Sequence, residues 1–268
     1  MKIRLFQVDA FTDQLFKGNP AAVCPLENWL PDETMQQIAL ENNLSETAFI
    51  VPKGEGFEIR WFTPQVEVDL CGHATLASAH VYFAELAYPE TQIVFHSKSG
   101  PLTIMRYELG YAMDFPTDTI TAIEPTKEII DLLEISPKAL YKGSSDYMVI
   151  LEEEANVQAY DPDFQKLAKL PTRGIIVTAK GETVDFVSRF FAPQVGINED
   201  PVTGSAHTTL TPYWAQQLNK QTLTARQISE REGNMTCVHK GNRVELIGRA
   251  ITYLKGEIEV LHPQIRSV

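Results

Sequence analysis

The stretch Arg60–Val66 decides the fold, because its sequence Arg-Trp-Phe-Thr-Pro-Gln-Val returns as Arg-Phe-Phe-Ala-Pro-Gln-Val at Arg189–Val195, an offset of 129 residues (189 − 60). Further short matches follow in the same order with little drift in spacing, among them residues 82–84 with residues 213–215. A period of about half the chain is too long for a solenoid repeat and indicates a duplicated domain. We therefore predict two homologous domains, 1–118 and 119–268.

Each half is predicted to consist of many short strands around one buried helix. Helices are predicted at Asp32–Asn42 and Asp163–Lys169, and almost wholly apolar helices at Gly72–Leu86 and Ser205–Leu218, where Pro212 should kink or break the second. Alternating or short apolar runs predict strands at 2–9, 48–51, 57–62, 92–96, 102–106, 111–115, 174–177, 183–191, 234–238, 243–247 and 250–254. Strands and helices that do not alternate indicate an α+β fold rather than a parallel βαβ fold.

Composition narrows the function classes. The chain has 268 residues, 23 Lys and Arg against 35 Asp and Glu, and a formal net charge of −12, which argues against a nucleic-acid partner. No apolar run is long enough to predict a membrane span, and three scattered cysteines are typical of a reduced, cytoplasmic protein. The dinucleotide and phosphate-loop glycine motifs are absent, and Cys71-x-His73 lacks a second ligand pair nearby, so we expect neither a cofactor nor a metal.

Both repeats lead into a glycine that opens the buried helix, Gly72 in the first half and Gly204 in the second. A helix N-terminus carries free N–H groups and partial positive charge, so two such ends facing one cleft would form an anion site. Either glycine alone is more simply explained as a turn residue.

Polar residues that differ between the halves are the candidates for catalysis, because unlike groups facing one cleft can form a two-sided acid/base site. Glu46 by itself reads as a solvated loop residue, and His73 reads equally well as a general acid or as a hydrogen-bonding residue at a helix start. Cys71 is a small buried apolar residue or a helix-end thiolate. Alignment of the halves sets these residues opposite one another: Glu46 and Thr172, His73 and Ser205, Cys71 and Thr203.

Six motifs together resemble those of the PhzF-like isomerase family, which shares the diaminopimelate epimerase fold, and the resemblance spans essentially the whole chain. The motifs lie at 8–12 (Val-Asp-Ala-Phe-Thr), 18–23 (Gly-Asn-Pro-Ala-Ala-Val), 43–49 (Asn-Leu-Ser-Glu-Thr-Ala-Phe), 62–64 (Phe-Thr-Pro), 69–75 (Asp-Leu-Cys-Gly-His-Ala-Thr) and 199–206 (Glu-Asp-Pro-Val-Thr-Gly-Ser-Ala). The resemblance implies two similar domains, each a barrel-like sheet wrapped around a central helix, with the site between them. It also implies proton transfer without a cofactor, usually in a homodimer.

The resemblance also assigns residues. It implies that Glu46 is the principal acid/base, with His73 and Asp200 as the other catalytic groups. The expected substrate-binding residues are Asn19, Gly72, Gly204 and Ser205. The epimerase branch uses one cysteine from each half, whereas this chain has Thr203 near the place that would match Cys71, which argues against racemisation by two thiols.

We therefore predict a cofactor-independent isomerase that moves a proton on a small carboxylated metabolite in the interdomain cleft. One alternative is an amino-acid epimerase or racemase that uses Glu46 and Cys71 as opposed bases. Another is a non-catalytic protein that binds carboxylates without exchanging a proton.

Overall fold

The computed structural model describes residues 1–260, so the end of the predicted second domain, 261–268, lies outside the described residues. The α+β prediction is confirmed, since strands and helices do not alternate regularly along the chain. The helices are α1 (Asp32–Asn42), α2 (Gly72–His80), α3 (Lys127–Leu133), α4 (Glu154–Ala159), α5 (Phe164–Leu167) and α6 (Gly204–Leu218). The strands are β1 (Lys2–Ala10), β2 (Asn19–Pro25), β3 (Glu46–Lys53), β4 (Gly56–Phe62), β5 (Glu67–Val68), β6 (Gln92–Ser97), β7 (Gly100–Tyr107), β8 (Gly110–Pro116), β9 (Thr121–Ile123), β10 (Ala139–Lys142), β11 (Asp146–Ile150), β12 (Gly174–Lys180), β13 (Phe186–Ala192), β14 (Ile197–Asp200), β15 (Thr222–Gln227), β16 (Gly233–His239), β17 (Arg243–Gly248) and β18 (Ala250–Glu259).

The strand pairing repeats in the same order in the two parts of the chain. In the first, β2 and β3 are parallel, β3 and β4 antiparallel, and β4 pairs with β6 in parallel. In the second, the equivalent pairs are β11 with β12, β12 with β13, and β13 with β15. The division at residue 118 falls between β8 and β9 and stays a prediction.

Two pairings join the repeats into one continuous sheet. Strands β8 and β17 pair with each other in antiparallel fashion. Strand β18, although it follows β17, returns to the beginning of the chain and pairs with β1 along its length. The last described strand therefore lies beside the first, and the two repeats cannot separate without breaking sheet hydrogen bonds.

Helices α2 and α6 occupy the same place in their repeats, inside the sheet. Every residue of α2 after Gly72 is buried, as expected for a helix that is apolar on nearly every face. The largest cluster of buried apolar side chains takes residues from both helices, among them Leu76 and Leu210. The last turn of the predicted Gly72–Leu86 helix is wider than an α-helix and runs from Val81 to Glu85.

Of the predicted kink or break at Pro212, the break is wrong, because α6 continues from Gly204 to Leu218. Proline has no N–H to give to the carbonyl four residues earlier, which is that of Thr208. That carbonyl instead accepts a hydrogen bond from the backbone N–H of Asp118 at 3.3 Å. A tertiary hydrogen bond thus replaces the intrahelical one. Within residues 1–260, no helix is both long and apolar enough to cross a membrane.

Candidate active site

The N-termini of α2 and α6 meet at the wall of a cavity of about 290 Å³. A methyl group added to Gly72 would lie 3.8 Å from the Cα of Gly204, and one added to Gly204 would lie 3.9 Å from the Cα of Gly72. Six of the seven predicted site residues line this cavity: Glu46, Gly72, His73, Asp200, Gly204 and Ser205. The seventh, Asn19, is fully buried behind them.

Glu46 begins β3, and its carboxylate faces the imidazole of His73 in the first turn of α2. The Oε2 atom of Glu46 lies 2.9 Å from Nε2 of His73, and both side chains are largely buried. The ring N–H does not point along this contact, so Oε2 receives no aligned hydrogen bond from the described residues. The pair is therefore held by charge, and the carboxylate is not committed to a donor.

The charge of His73 depends on its neighbours. Burial opposes a positive imidazole, but Cys71 and Glu46 outweigh it and raise the pKa of His73 well above its ordinary value. Burial, followed by the charge of Glu46, raises the pKa of the Cys71 thiol to about 11, so this thiol is neutral at neutral pH.

Asn19 connects His73 to Asp200. Its amide nitrogen lies 2.8 Å from Oδ1 of Asp200, 2.9 Å from the carbonyl oxygen of Val202 and 3.2 Å from Nδ1 of His73. The first two of these atoms are acceptors only, which fixes the orientation of the amide. Its oxygen accepts a hydrogen bond from the hydroxyl of Ser45 at 3.3 Å. Asn19 therefore positions Asp200 by a hydrogen bond and lies against Nδ1 of His73.

Asp200, at the end of β14, is a poorly solvated carboxyl group. Burial raises its pKa to about 6, against the opposing effects of His73, Thr203 and Asn19. The hydroxyl of Thr203 donates to Oδ2 of Asp200, and Asn19 donates to Oδ1. A carboxyl group with such a pKa can both give and accept a proton near neutral pH.

Cys71, His73 and Glu46 also form the one cluster in residues 1–260 whose ligand atoms could hold a metal ion, with all three atoms within 4.8 Å of one another. Carboxylate, imidazole and thiolate are suitable ligands for a zinc-like cation. Binding would require the neutral thiol to lose its proton and would occupy both Glu46 and His73. The expectation of a metal-free site stays a prediction.

The strand register corrects the alignment of Glu46 with Thr172 by two residues. In the first repeat Arg60 pairs with Phe49, and in the second Arg189 pairs with Val177, so the counterpart of Glu46 is Gly174. A β-carbon on Gly174 would lie 2.3 Å from the ring of Phe190. The second repeat thus has no side chain where the first has its carboxylate.

Sequence reasoning missed Arg173, which precedes Gly174 and lines the cavity. Its guanidinium forms two hydrogen bonds with the buried carboxylate of Asp146, and its Nη2 lies 3.2 Å from the hydroxyl of Ser205. The only sequence signal was an arginine directly before a buried strand at the position equivalent to Ser45. That signal appears only once the register of β12 is known.

Comparisons with known proteins found a matching family model, similar relatives and similar solved structures. The family model described as phenazine biosynthesis-like protein (PhzC-PhzF) matches residues 8–256. Two uncharacterized isomerases of Pseudomonas aeruginosa are 48% and 50% identical over 260 residues, covering 97% of this chain and 100% of each relative. The crystal structure of a PhzF-family phenazine biosynthesis protein from Enterococcus faecalis has a TM-score of 0.94 at 48% identity and covers 97% of this chain and 100% of that one.

A more distant structure shares the fold alone. A hydroxyproline epimerase from Agrobacterium vitis has a TM-score of 0.58 at 11% identity, covering 98% of this chain and 94% of that one. The fold of the present chain is therefore of the epimerase-like type.

Proposed function

Since this chain belongs to the phenazine biosynthesis-like (PhzC-PhzF) family and is an isomerase, we propose that it moves a proton between two atoms of a small carboxylated metabolite without a cofactor. The observation that supports this most directly is the Glu46 carboxylate, which lines the cavity 2.9 Å from the imidazole of His73 and accepts no aligned hydrogen bond on its buried oxygen. Such a carboxylate is free to take a proton from a bound substrate.

In the proposed reaction, Glu46 removes a proton from a carbon atom of the substrate. The C–H bond breaks, its electron pair enters the adjacent π system, and a new bond to hydrogen forms at another atom of that system. The proton returns from Glu46 itself or through Asp200, whose pKa of about 6 suits transfer near neutral pH. Atoms and electrons balance within the substrate, so the reaction needs no oxidant or reductant.

The positive charge of His73 has a separate role in this proposal. Negative charge develops on the substrate when Glu46 removes its proton, and a cation already in place in a poorly solvated site stabilises that charge. Asn19 keeps Asp200 in a fixed position while this happens. Ser205 and the first backbone N–H groups of α2 and α6, beginning at Gly72 and Gly204, hold the substrate, because helix N-termini have no intrahelical acceptors for these groups.

The test is Glu46→Gln, which keeps the shape of the side chain and removes its titrating group. A panel of small carboxylated metabolites would be incubated with the enzyme in D₂O, and deuterium uptake and isomerisation followed by NMR. For the metabolite that the wild type converts, we expect a loss of about 10²- to 10⁴-fold in rate. Glu245→Gln is the matched control, because Glu245 pairs with Lys240 outside the cavity and should leave the rate unchanged.

The same assay distinguishes the alternatives. Turnover by Glu46→Gln close to that of the wild type would refute the assignment of the base. Inversion at a single carbon that is lost in Cys71→Ser would favour the epimerase with Glu46 and Cys71 as bases. Saturable binding of carboxylates by the wild type without deuterium uptake from any of them would favour the non-catalytic protein.

A further inference from the structure

We propose that Arg173 binds the carboxylate of the substrate, so that the anion is held on the side of α6 while the reactive carbon faces Glu46. This inference rests on the proposed isomerase function and adds a specificity-determining residue to it. The substrate class is a small carboxylic acid with an apolar body, whose carboxylate is separate from the atom that loses the proton.

The first argument is the unused donor capacity of Arg173. A guanidinium has five N–H donors. Nε and Nη2 bond to Asp146, and Nη2 also approaches Ser205. Nη1 donates to no described residue, and 43% of the side chain is exposed, on a residue that lines the cavity. Arg173 therefore has donor capacity left for a ligand in the cavity that it lines.

The second argument is that the arginine is held in place before any ligand arrives. Asp146 is only 4% exposed and grips one edge of the guanidinium at two points. The guanidinium carbon lies 5.6 Å from the ring centroid of Phe190, which packs beneath it. A planar fork fixed in this way can receive a carboxylate without losing further side-chain freedom.

The third argument concerns charge. Among the residues that line the cavity, Arg173 is the one lysine or arginine, and the lining also contains the carboxyl groups of Glu46 and Asp200. The protein as a whole carries a formal net charge of −12. An anionic substrate is repelled by that field, and Arg173 places a guanidinium, which is charged at every physiological pH, at the cavity to receive it. Ser205, in the first turn of α6, places a hydroxyl and the helix end beside this cation.

The apolar lining restricts the rest of the ligand. Beside Arg173 and the helix starts, the cavity is lined by Leu70, Phe115, Phe190, Val195 and Ile197. Apolar walls of this kind favour a hydrocarbon ring or chain over a second charged group. A carboxylate at one end and an apolar body at the other therefore match the two kinds of surface in the cavity.

The test uses cyclohexanecarboxylate as the probe and its neutral amide, cyclohexanecarboxamide, as the comparison, with binding measured by isothermal titration calorimetry. We expect the wild type to prefer the carboxylate and Arg173→Met to lose about 10- to 100-fold in carboxylate affinity, because charge-assisted hydrogen bonds disappear. Arg173→Lys keeps the charge without the fork and should lose less. The amide should bind equally well to all three proteins.

Arg173→Met leaves the buried Asp146 unpaired and can unfold the protein. The double variant Arg173→Met with Asp146→Asn removes both charges and keeps the test valid. Arg226→Met with Glu154→Gln is the matched control, because this pair also joins an arginine to a buried carboxylate but outside the cavity. If the double variant at 173 and 146 folds and retains wild-type affinity for the carboxylate, Arg173 serves only to neutralise Asp146 and the inference is wrong.

Glu46→Gln separates this inference from the proposed function. It should abolish proton exchange but retain or improve carboxylate binding, since it removes a negative charge from the cavity. Loss of binding in the Arg173 variants with exchange unaffected by Glu46→Gln would refute the proposed base and support the anchor. Unchanged binding in the Arg173 variants, together with loss of exchange in Glu46→Gln, would refute the role of Arg173 in binding and leave the proposed base standing.

Discussion

Replacing Asp200 with asparagine should make the protein more stable near neutral pH at the expense of its reaction. The folded protein binds a proton at Asp200 with a pKa of about 6, against 3.8 for an ordinary aspartate, so between these values the native state holds more protons than the unfolded state. Stability of the wild type therefore falls as the pH rises through this window. At about 1.4 kcal/mol for each pH unit, the interval corresponds to about 3 kcal/mol.

Asparagine does not titrate, so the Asp200→Asn variant does not lose this stability as the pH rises. It cannot accept from both Asn19 and Thr203, because one of its terminal atoms is now a donor, and this mismatch costs about 1 kcal/mol at every pH. The free energy of unfolding of the variant relative to the wild type should thus rise by about 2.4 kcal/mol between pH 4 and pH 7, the part of the full effect that falls in this range. Above that range the difference should be constant until His73 titrates, because the pKa of His73 is also raised.

Urea unfolding followed by circular dichroism at pH intervals from 4 to 7.5 measures this difference. Asp185→Asn is the control of opposite kind: hydrogen bonds from Lys220 and Thr224 outweigh burial and lower the pKa of Asp185 below 3.8. The stability that this carboxylate contributes is present above pH 3.8 and is lost as the pH falls, so its difference from the wild type should be nearly flat above pH 5. A difference for Asp200→Asn that is equally flat would show that Asp200 is not a perturbed carboxyl group.

Two further substitutions probe the helix starts. Cys71→Ser should retain most of the proton-exchange activity, since burial holds the thiol neutral with a pKa of about 11; an intact fold with no exchange would contradict this. Alkylation of Cys71 by iodoacetamide at pH 7 should be slow for the same reason. Gly204→Val should weaken cyclohexanecarboxylate binding about tenfold without unfolding the protein, because its first methyl position meets Gly72 and Leu246 at ordinary contact distances of 3.9 Å whereas the branched side chain crowds the helix start. Unchanged binding to a folded Gly204→Val protein would remove the helix end from the anion site.

The parts of the fold that sequence predicts are those specified locally. The buried helix that begins at Gly72 has an apolar residue on nearly every face. In the strand that ends at Phe62, apolar and polar residues alternate, which is typical of a half-buried strand. The repeat also predicts that Gly72 and Gly204 are equivalent, because matching residues in duplicated domains occupy matching places in the fold. The repeat singled out Gly72 and Gly204 and drew attention to Glu46 and His73. The site roles of Asp200, Ser205 and Asn19 came from the resemblance to the PhzF-like family.

The parts that sequence does not predict depend on contacts between distant residues. The strand Asn19–Pro25 contains two prolines and was not among the predicted strands, yet it pairs with β1 and β3 and is almost wholly buried. The role of Asn19 comes from atoms of His73 and Asp200, which are 54 and 181 residues away in sequence. The carbonyl of Thr208, which Pro212 leaves without its helical donor, accepts a hydrogen bond from the distant backbone N–H of Asp118. None of these partners has a signal in the local pattern.

The register of one strand has the largest consequence for chemistry. Counting along the sequence places Thr172 opposite Glu46, which suggests two polar groups facing each other. The sheet places Gly174 there instead, and the ring of Phe190 occupies the space that a side chain would need. At equivalent places in the two repeats, the cavity therefore has the Glu46 carboxylate in the first and an aromatic ring beneath a guanidinium in the second.

This asymmetry bears on the choice between a proton shift and racemisation. Inversion at one carbon needs a base on each face of the substrate, and the thiol that would serve as the second base, Cys71, lies in the same cluster as Glu46 and His73 instead of across the cavity. Its pKa of about 11 also leaves it protonated at neutral pH. The hydroxyl of Thr203, in the matching place of the second repeat, donates to Asp200. A single carboxylate that removes a proton and returns it to a neighbouring atom on the same face needs no second base, and it is the chemistry that this one-sided arrangement favours.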